Sequence, residues 1–143
     1  MSLLNEDIIK IKLYYKYEKK KNGNRLVVLS DERAEELMKD EKKKEEIEVL
    51  NTEWRSLSWE DHNKVLDAAT MVADPVTGAR GFNTVKYRDA MVKNCLKAWD
   101  LKENSSSVPV TQQNINRLPA QIVVSLYDKF DVILNYTEQE VGN

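Results

Sequence analysis

Apolar and polar residues alternate near the start of the chain. The odd positions from 9 to 17 carry isoleucine, leucine or tyrosine, and mostly lysines stand between them. A period of two is typical of a β-strand that has one face in a core. The dipeptide Asn22-Gly23 suits a two-residue turn, so we expect a second strand over residues 25–29 that pairs antiparallel with the first. With these two residues as the loop, Val28 lies opposite Tyr17.

The next segment predicts a short helix and a third strand. Ser30 precedes two acidic residues and then apolar residues at helical spacing, a pattern typical of a capped helix N-terminus. The charged run of residues 40–46 suits either an extension of this helix or a solvated loop, and the pattern leaves both open. Residues 47–54 favour a third strand with Ile47 and Val49 on one face, and a helix is the alternative.

Helical spacing begins after residue 54. Ser58 suits the N-cap of a helix over residues 59–72, and Trp59 is the first residue of its apolar stripe. Residues 74–78 contain a proline and a glycine at turn spacing, so we expect the chain to reverse there. The two helices on either side of this turn would form a helical hairpin.

The central helix is expected over residues 82–101. Its apolar residues recur at helical spacing and end at Trp99, and Asn83 or Thr84 suits its N-cap. After a polar loop, Thr111 is expected to cap a short helix, and the long helix that follows has a wide apolar face.

Together these elements predict an α+β fold that forms one compact unit. Residues 1–54 are expected to form an antiparallel β-hairpin with a short helix and a third strand, and residues 55–143 a mainly helical bundle. Two apolar helix faces are candidate grooves for a helical partner. Their residues are Val85, Met91, Val92 and Trp99 on the central helix, and Ile122, Leu126 and Phe130 on the last helix.

Composition limits the classes of function. Hydrophobic residues make up 41% of 143, which is enough for one core. The 22 basic and 24 acidic residues give a formal net charge of −2, so no overall field attracts nucleic acid or an anionic membrane. Cys95 stands alone and cannot form an internal disulfide, and no apolar stretch approaches the length of a membrane span. We therefore expect a cytoplasmic protein.

No residue pattern in the chain is typical of an active site. His62 is the only histidine, and no cysteine or carboxylate stands at metal-ligand spacing from it. Nothing in the sequence brings two carboxylates together as an acid and base, and the four glycines are too scattered for a phosphate-binding loop. We expect a non-enzymatic protein with no metal site and no cofactor.

The predicted hairpin offers two further candidate surfaces. Its first strand could add to the sheet of a neighbouring subunit, and its basic tip, with tyrosines nearby, could bind nucleic acid. Lysines at such a tip more often protect an exposed strand edge, and we favour that interpretation. The edge residues are Ile9, Ile11 and Leu13, and the tip residues are Lys19, Lys20 and Lys21.

Four segments between Trp54 and Leu134 carry a resemblance to a known family. They are TEWRSLSWEDHNKVLDAA, DPVTGAR, NTVKYRDAMVKNCLKAWDL and VPVTQQNINRLPAQIVVSLYDKF. In this part the chain resembles the tail assembly chaperones of tailed bacteriophages, which are encoded just before the tape-measure gene. The N-terminal hairpin departs from the mainly helical fold of those chaperones.

The resemblance implies a non-enzymatic protein of the host cytoplasm. Such a protein would protect the elongated tape-measure protein and recruit tail-tube subunits, with apolar helix faces as its binding surfaces. The alternative is a structural subunit of the virion, in the tail, neck or baseplate, whose hairpin pairs with neighbouring copies in a homo-oligomer. Nucleic-acid binding through the basic hairpin is the third hypothesis, and a membrane partner is not expected.

Overall fold

The computed structural model describes Leu4 and residues 7–142, with side chains as far as Asn135. Its strands and helices are interspersed along the chain. The strands are β1 (Ile8–Lys20), β2 (Gly23–Leu29), β3 (Glu48–Arg55), β4 (Thr70–Val72), β5 (Arg80–Phe82), β6 (Leu96–Trp99), β7 (Lys102–Glu103) and β8 (Ser106–Ser107). The helices are α1 (Asp31–Met38), α2 (Glu41–Lys44), α3 (Trp59–Ala69), α4 (Thr84–Cys95), α5 (Gln112–Arg117) and α6 (Ala120–Gly142). The predicted α+β class is confirmed.

The main sheet contains strands from both halves of the chain. Its order is β2-β1-β3-β6, and every neighbouring pair is antiparallel. Strand β6 belongs to the part that was expected to be a helical bundle, yet it pairs with β3 from the first part. The described residues of the two parts therefore share one sheet and one core, and the helices α4 and α6 pack against that sheet.

The hairpin register differs from the expected one by a step of two. Lys20 lies opposite Gly23, so Lys21-Asn22 form the loop, and Tyr17 lies opposite Leu26 rather than Val28. The reason is the position of the positive φ angle, which is 125° at Gly23, the first residue of β2. Because the shift is even, each side chain keeps its expected face of the hairpin.

Strand β3 confirms the predicted third strand but buries the opposite face. Leu50, Thr52 and Trp54 are buried, whereas Val49 is exposed. Leu13 lies opposite Leu50, and Ile11 opposite Thr52, so the buried residues of β1 and β3 share one face. The face expected to carry Ile47 and Val49 is therefore the one turned away from the main core, because the register with β1 assigns the even positions of β3 to the core.

A buried stack lies at the centre of the core. The rings of Trp54 and Phe130 are 4.7 Å apart at an interplanar angle of 25°, and both side chains are fully buried. The indole Nε1 of Trp54 donates to the hydroxyl of Thr52 at 2.8 Å, and that hydroxyl donates to the carbonyl of Ile11 at 2.8 Å. Each buried polar group therefore has a partner, which removes the cost of its desolvation.

Helix α1 covers part of the other face of the sheet. Ala34 and Leu37 pack with Leu29 in a second, smaller hydrophobic cluster. The charged run that follows forms a single helical turn, α2, whose N-terminus is capped by the Asp40 carboxylate. The structure therefore answers the open question with a short separate helix, and α1 ends at Met38.

The N-caps predicted from sequence are confirmed. Ser30, Ser58 and Thr111 each accept a hydrogen bond from the backbone N–H three residues on, at distances of 3.1 to 3.2 Å. For the central helix, the cap is Asn83, whose side-chain oxygen accepts from the N–H of Lys86 at 3.1 Å. A short polar side chain before an apolar stripe is a local signal. The N-cap therefore forms independently of how distant parts of the chain pack.

The helices α3 and α4 are shorter than expected. The helix expected over residues 59–72 ends at Ala69, and the central helix runs from Thr84 to Cys95 instead of over residues 82–101. The residues beyond these ends pair as strands, β4 with β5 and β6 with β3. Helical spacing could not show this because short apolar segments fit either pattern until their pairing partners are known.

Tyr15 ties the hairpin to the third strand. Its hydroxyl donates to the Glu48 carboxylate, and burial together with that carboxylate raises its pKa far above the ordinary value of 10.0. Above about pH 10 the unfolded chain therefore loses this proton while the folded chain keeps it. We expect the free energy of unfolding to fall as the pH rises past that value, and to fall less steeply in Tyr15→Phe. Urea unfolding on both sides of pH 10 would measure the two slopes, and equal slopes would contradict the expectation.

Candidate protein interaction surface

Residues 59–85 form an arm made of α3, the two-stranded ribbon β4-β5 and the start of α4. Helix α3 packs chiefly against α4, and the ribbon joins the ends of the two helices. The backbone N–H of Asn83 donates to the carbonyl of Ala69 at 2.8 Å, which closes the base of the ribbon where the helices meet it. We call this unit the arm.

The arm holds a large share of the exposed apolar side chains of the described residues. Val76 is 92% exposed, Trp59 78% and Val85 64%. Scattered single apolar residues are normal on a protein surface, but seven of the thirteen large apolar side chains that are exposed among the described residues lie on this one 27-residue segment, which makes it the candidate surface. The seven are Trp59, Leu66, Met71, Val72, Val76, Phe82 and Val85.

Hydrogen bonds fix the turn at the tip of the arm. The Asp74 carboxylate accepts from the backbone N–H of Val76 at 2.9 Å, and the N–H of Gly78 donates to the carbonyl of Asp74 at 2.9 Å. The bond from Val76, followed by that from the Thr77 hydroxyl, lowers the pKa of Asp74. Gly78 has a φ of 73°, a conformation that favours glycine. The tip therefore presents Val76 on an ordered turn, which limits the entropy lost on binding.

Trp59 is exposed, and the expectation that it heads a buried stripe is wrong. At about 100° per residue, Trp59 and Leu66 lie on nearly the same side of α3, whereas Val65 lies about 100–120° and Ala69 about 60–80° away from them. Val65 and Ala69 are the buried residues of this helix. The Trp59 ring stacks on the imidazole of His62 at 5.8 Å between centroids and 13° between planes. Both rings lie on the surface rather than in the core.

The expected partner-binding faces of the helices lie mostly inside the protein. Met91, Val92, Ile122, Leu126 and Phe130 are all buried in the core. The sheet covers these faces, because the apolar residues of β1 and β3 pack against the helices in the same core. This corrects the expectation that the faces are open grooves in the folded chain.

The other two residues of those faces have different positions. Val85 is exposed in the first turn of α4 and belongs to the arm. Trp99 is half-buried on β6 and not on a helix, and its Nε1 donates to the carbonyl of Val108 at 2.6 Å. Trp99 therefore holds the loop that follows β6 against the sheet.

The expected β-edge of the first strand is present only on one side of its first half, and its apolar side chains lie largely in the core. Strand β1 lies between β2 and β3, with Ile11 and Leu13 buried and Ile9 half-buried. Strand β1 has thirteen residues and pairs with two shorter strands. Residues 8–15 pair with β3, and residues 14–20 pair with β2. On the β2 side, residues 8–13 have no strand partner among the described residues, whereas the side chains of Ile11 and Leu13 are buried in the core. Strand addition at this part of β1 stays a prediction.

The basic tip of the hairpin is exposed as expected. Lys19, Lys20 and Lys21 are all exposed, and Glu18 lies within 3.6 Å of Lys20 and 3.4 Å of Lys16. Those two lysines, with the Lys16 hydrogen bond first, lower the pKa of Glu18. Tyr17 is 54% exposed and meets the Tyr15 ring edge-on. Nucleic-acid binding at this tip stays a prediction.

Sequence reasoning missed the arm as a surface. The available signal was the pair of short segments Met71-Val72 and Gly81-Phe82 on either side of a proline-glycine turn, which suits a small β-ribbon. A Cβ atom built on Gly81 would lie 3.1 Å from the Cβ of Ala73, the residue that follows β4, and 3.7 Å from the Met71 side chain. Glycine at this position lets the two strands approach.

The described residues contain no group of three or more histidine, cysteine or acidic side chains that could hold a metal ion. Within the same part of the chain, no helix is long and apolar enough to cross a membrane. Comparison with known proteins gives no match to this chain among family models, curated proteins or solved structures.

Proposed function

We propose that this chain is a non-enzymatic protein of bacteriophage tail assembly that acts like a chaperone. In this role it would bind the tape-measure protein and tail-tube subunits in the host cytoplasm. The proposal combines the resemblance over residues 54–134 with one structural observation, the concentration of exposed apolar side chains on the arm.

The arm replaces the helix faces as the proposed binding surface. A chaperone of an elongated apolar protein needs apolar area that is accessible before the partner arrives. Val76 at the tip, Trp59 at the start of α3 and Val85 at the start of α4 meet this requirement, because each is more than half exposed. The buried residues of α4 and α6 do not.

The arm has a small net negative charge. It carries four acidic and two basic side chains, and Glu60 and Lys64 form an exposed ion pair at 3.5 Å. The apolar residues would supply most of the binding free energy, and the remaining acidic residues, Asp61, Asp67 and Asp74, would favour a partner with basic groups beside its apolar segment.

Mass spectrometry of purified virions tests the proposal. The phage that encodes this chain would be grown, and its mature particles and infected-cell extract analysed separately. We expect the chain to be absent from the particles and to copurify from the extract with the tape-measure protein. Presence in the particles at a fixed copy number would overturn the chaperone role.

A structural subunit of the virion is the second candidate. The observation that favours it is the hairpin, whose distal part, residues 16–27, extends beyond the end of β3. A protruding hairpin with free backbone groups is a suitable element for pairing between subunits. The fixed copy number that excludes a chaperone would support this role.

A further inference from the structure

Strand β2 is the outermost strand of the main sheet. On one side it pairs with β1, and no strand among the described residues covers its other side. In an antiparallel pair, successive residues direct their N–H and C=O groups to opposite sides. One set of alternate residues in β2 therefore carries unpaired backbone groups along the free edge.

A contact at the neighbouring strand shows which residues these are. The carbonyl of Lys12 accepts from the Nζ of Lys129 at 2.8 Å, and the same Nζ lies 2.6 Å from Asp31, which directly follows β2 and Ser30. Lys12 therefore directs its backbone groups to the β2 side of β1, and the even-numbered residues of β1 do the same. Their partners Gly23, Arg25, Val27 and Leu29 face inward. Asn24, Leu26 and Val28 face the free edge.

The free edge has opposite charges at its two ends. At the hairpin end, Lys19, Lys21 and Arg25 have no acidic partner among the described residues. At the other end, the chain continues into α1, which begins Asp31-Glu32. Asp31 is paired with Lys129, and Glu32 has no basic partner among the described residues. The edge thus runs from basic to acidic over about nine residues, or roughly 30 Å of extended chain.

We propose that β2 pairs antiparallel with β2 of a second copy, about a two-fold axis at Leu26. In this register Leu26 lies opposite its own symmetry mate and Asn24 opposite Val28 of the second copy, so the outward backbone groups pair with one another. The two four-stranded sheets become one continuous sheet. The pairing does not depend on the proposed role in tail assembly.

Charge complementarity identifies the occupant as a second copy. Antiparallel pairing brings the basic tip of each copy, at Lys21, beside the start of α1 in the other, where Glu32 supplies an unpaired negative charge. A parallel arrangement would place like charges together at both ends, which is unfavourable. Because the pair is symmetric, the contact between the basic tip and the acidic start of α1 occurs twice at the interface.

The surroundings of the edge leave room for a partner strand. A groove of about 390 Å³ runs between β2 and α6, and its helix wall is formed by Gln121, Val124 and Ser125. These side chains are small or polar, so α6 does not block the approach of a second strand. Leu26 and Val28 are half-buried and would lose further apolar surface on pairing.

Amide hydrogen exchange over a protein concentration series tests the pairing directly. We expect the amides of Leu26 and Val28 to become protected only as the dimer forms. Those of Arg25 and Val27, which bond to β1, should be protected at every concentration. A chain that remains monomeric in sedimentation up to its solubility limit would overturn the proposal, and so would a dimer that leaves Leu26 and Val28 unprotected.

A charge exchange supplies a second test. Lys21→Glu should raise the dissociation constant of the dimer about tenfold, because two symmetry-related attractions become repulsions. Glu32→Lys should do the same, and the double variant should restore the original value. The matched control is Lys42→Glu, which makes the same charge change on exposed α2, away from the edge. Single variants that dimerise like the original protein would contradict this interface.

Discussion

Phe130→Ala is expected to lower the free energy of unfolding by about 3–5 kcal/mol. The ring is fully buried, stacks on Trp54 at 4.7 Å and anchors α6 to the sheet. Its removal forfeits the transfer free energy of the ring and leaves a cavity that the surrounding strands cannot close. Urea unfolding followed by tryptophan fluorescence measures the change, and Trp54 reports on the same site.

The matched control for this variant is Val132→Ala. Val132 lies two residues further along α6 and is 63% exposed, so its truncation should change the free energy of unfolding by no more than about 0.5 kcal/mol. A similar loss in both variants would mean that α6 is not anchored through its Phe130 face. The stack with Trp54 would then carry little of the stability.

Val76→Asp combined with Val85→Asp is expected to weaken binding of the tape-measure protein by about 100-fold or more. Both side chains are exposed on the arm, and a charge in an apolar contact must be desolvated without a partner. The fold should be unaffected, because Val76 lies on an exposed turn. An acidic residue at position 85 also suits the first turn of α4, which has none. Isothermal titration with the tape-measure protein of the same phage gives the affinity, and thermal unfolding checks the fold.

Val132→Asp provides the control for binding, since it introduces the same charge at an exposed apolar position outside the arm. Its affinity for the tape-measure protein should match that of the original chain. If the arm variant binds normally and the control does not, the binding surface lies beside α6 and the arm has another role. Normal binding by both variants would remove the basis for an apolar contact at either place.

The local signals in the sequence predicted local structure well. The alternation in β1, the hairpin and the four N-caps each depend on residues close together in the chain, and the structure contains all of these elements, with the turn one residue earlier than predicted, at Lys21-Asn22. Even the hairpin register, although shifted, kept the faces of its side chains. These features require no knowledge of distant partners, since capping and turn preferences are properties of a few neighbouring residues.

The errors occur where a short apolar segment has two compatible structures. Residues 96–99 continue a helical stripe in the sequence, yet they form β6 because β3 offers an edge for pairing. Trp59 looks like part of a buried stripe, yet α3 rests on its Val65 side and leaves the indole exposed. Neither outcome could be predicted from spacing. The apolar character of a residue shows that it can be buried, but it does not show which element will cover it.

The same reasoning applies to the candidate surfaces. The apolar faces around Met91 and Leu126 are real, and their sequence patterns are correct, but the sheet of the same chain occupies them. The arm became visible as a surface only when its seven apolar residues proved to have no such cover. Propensity, capping and periodicity depend on a few neighbouring residues, so they can be predicted from the sequence. The choice between core and surface depends on pairing across tens of residues, which is set only when the whole sheet assembles.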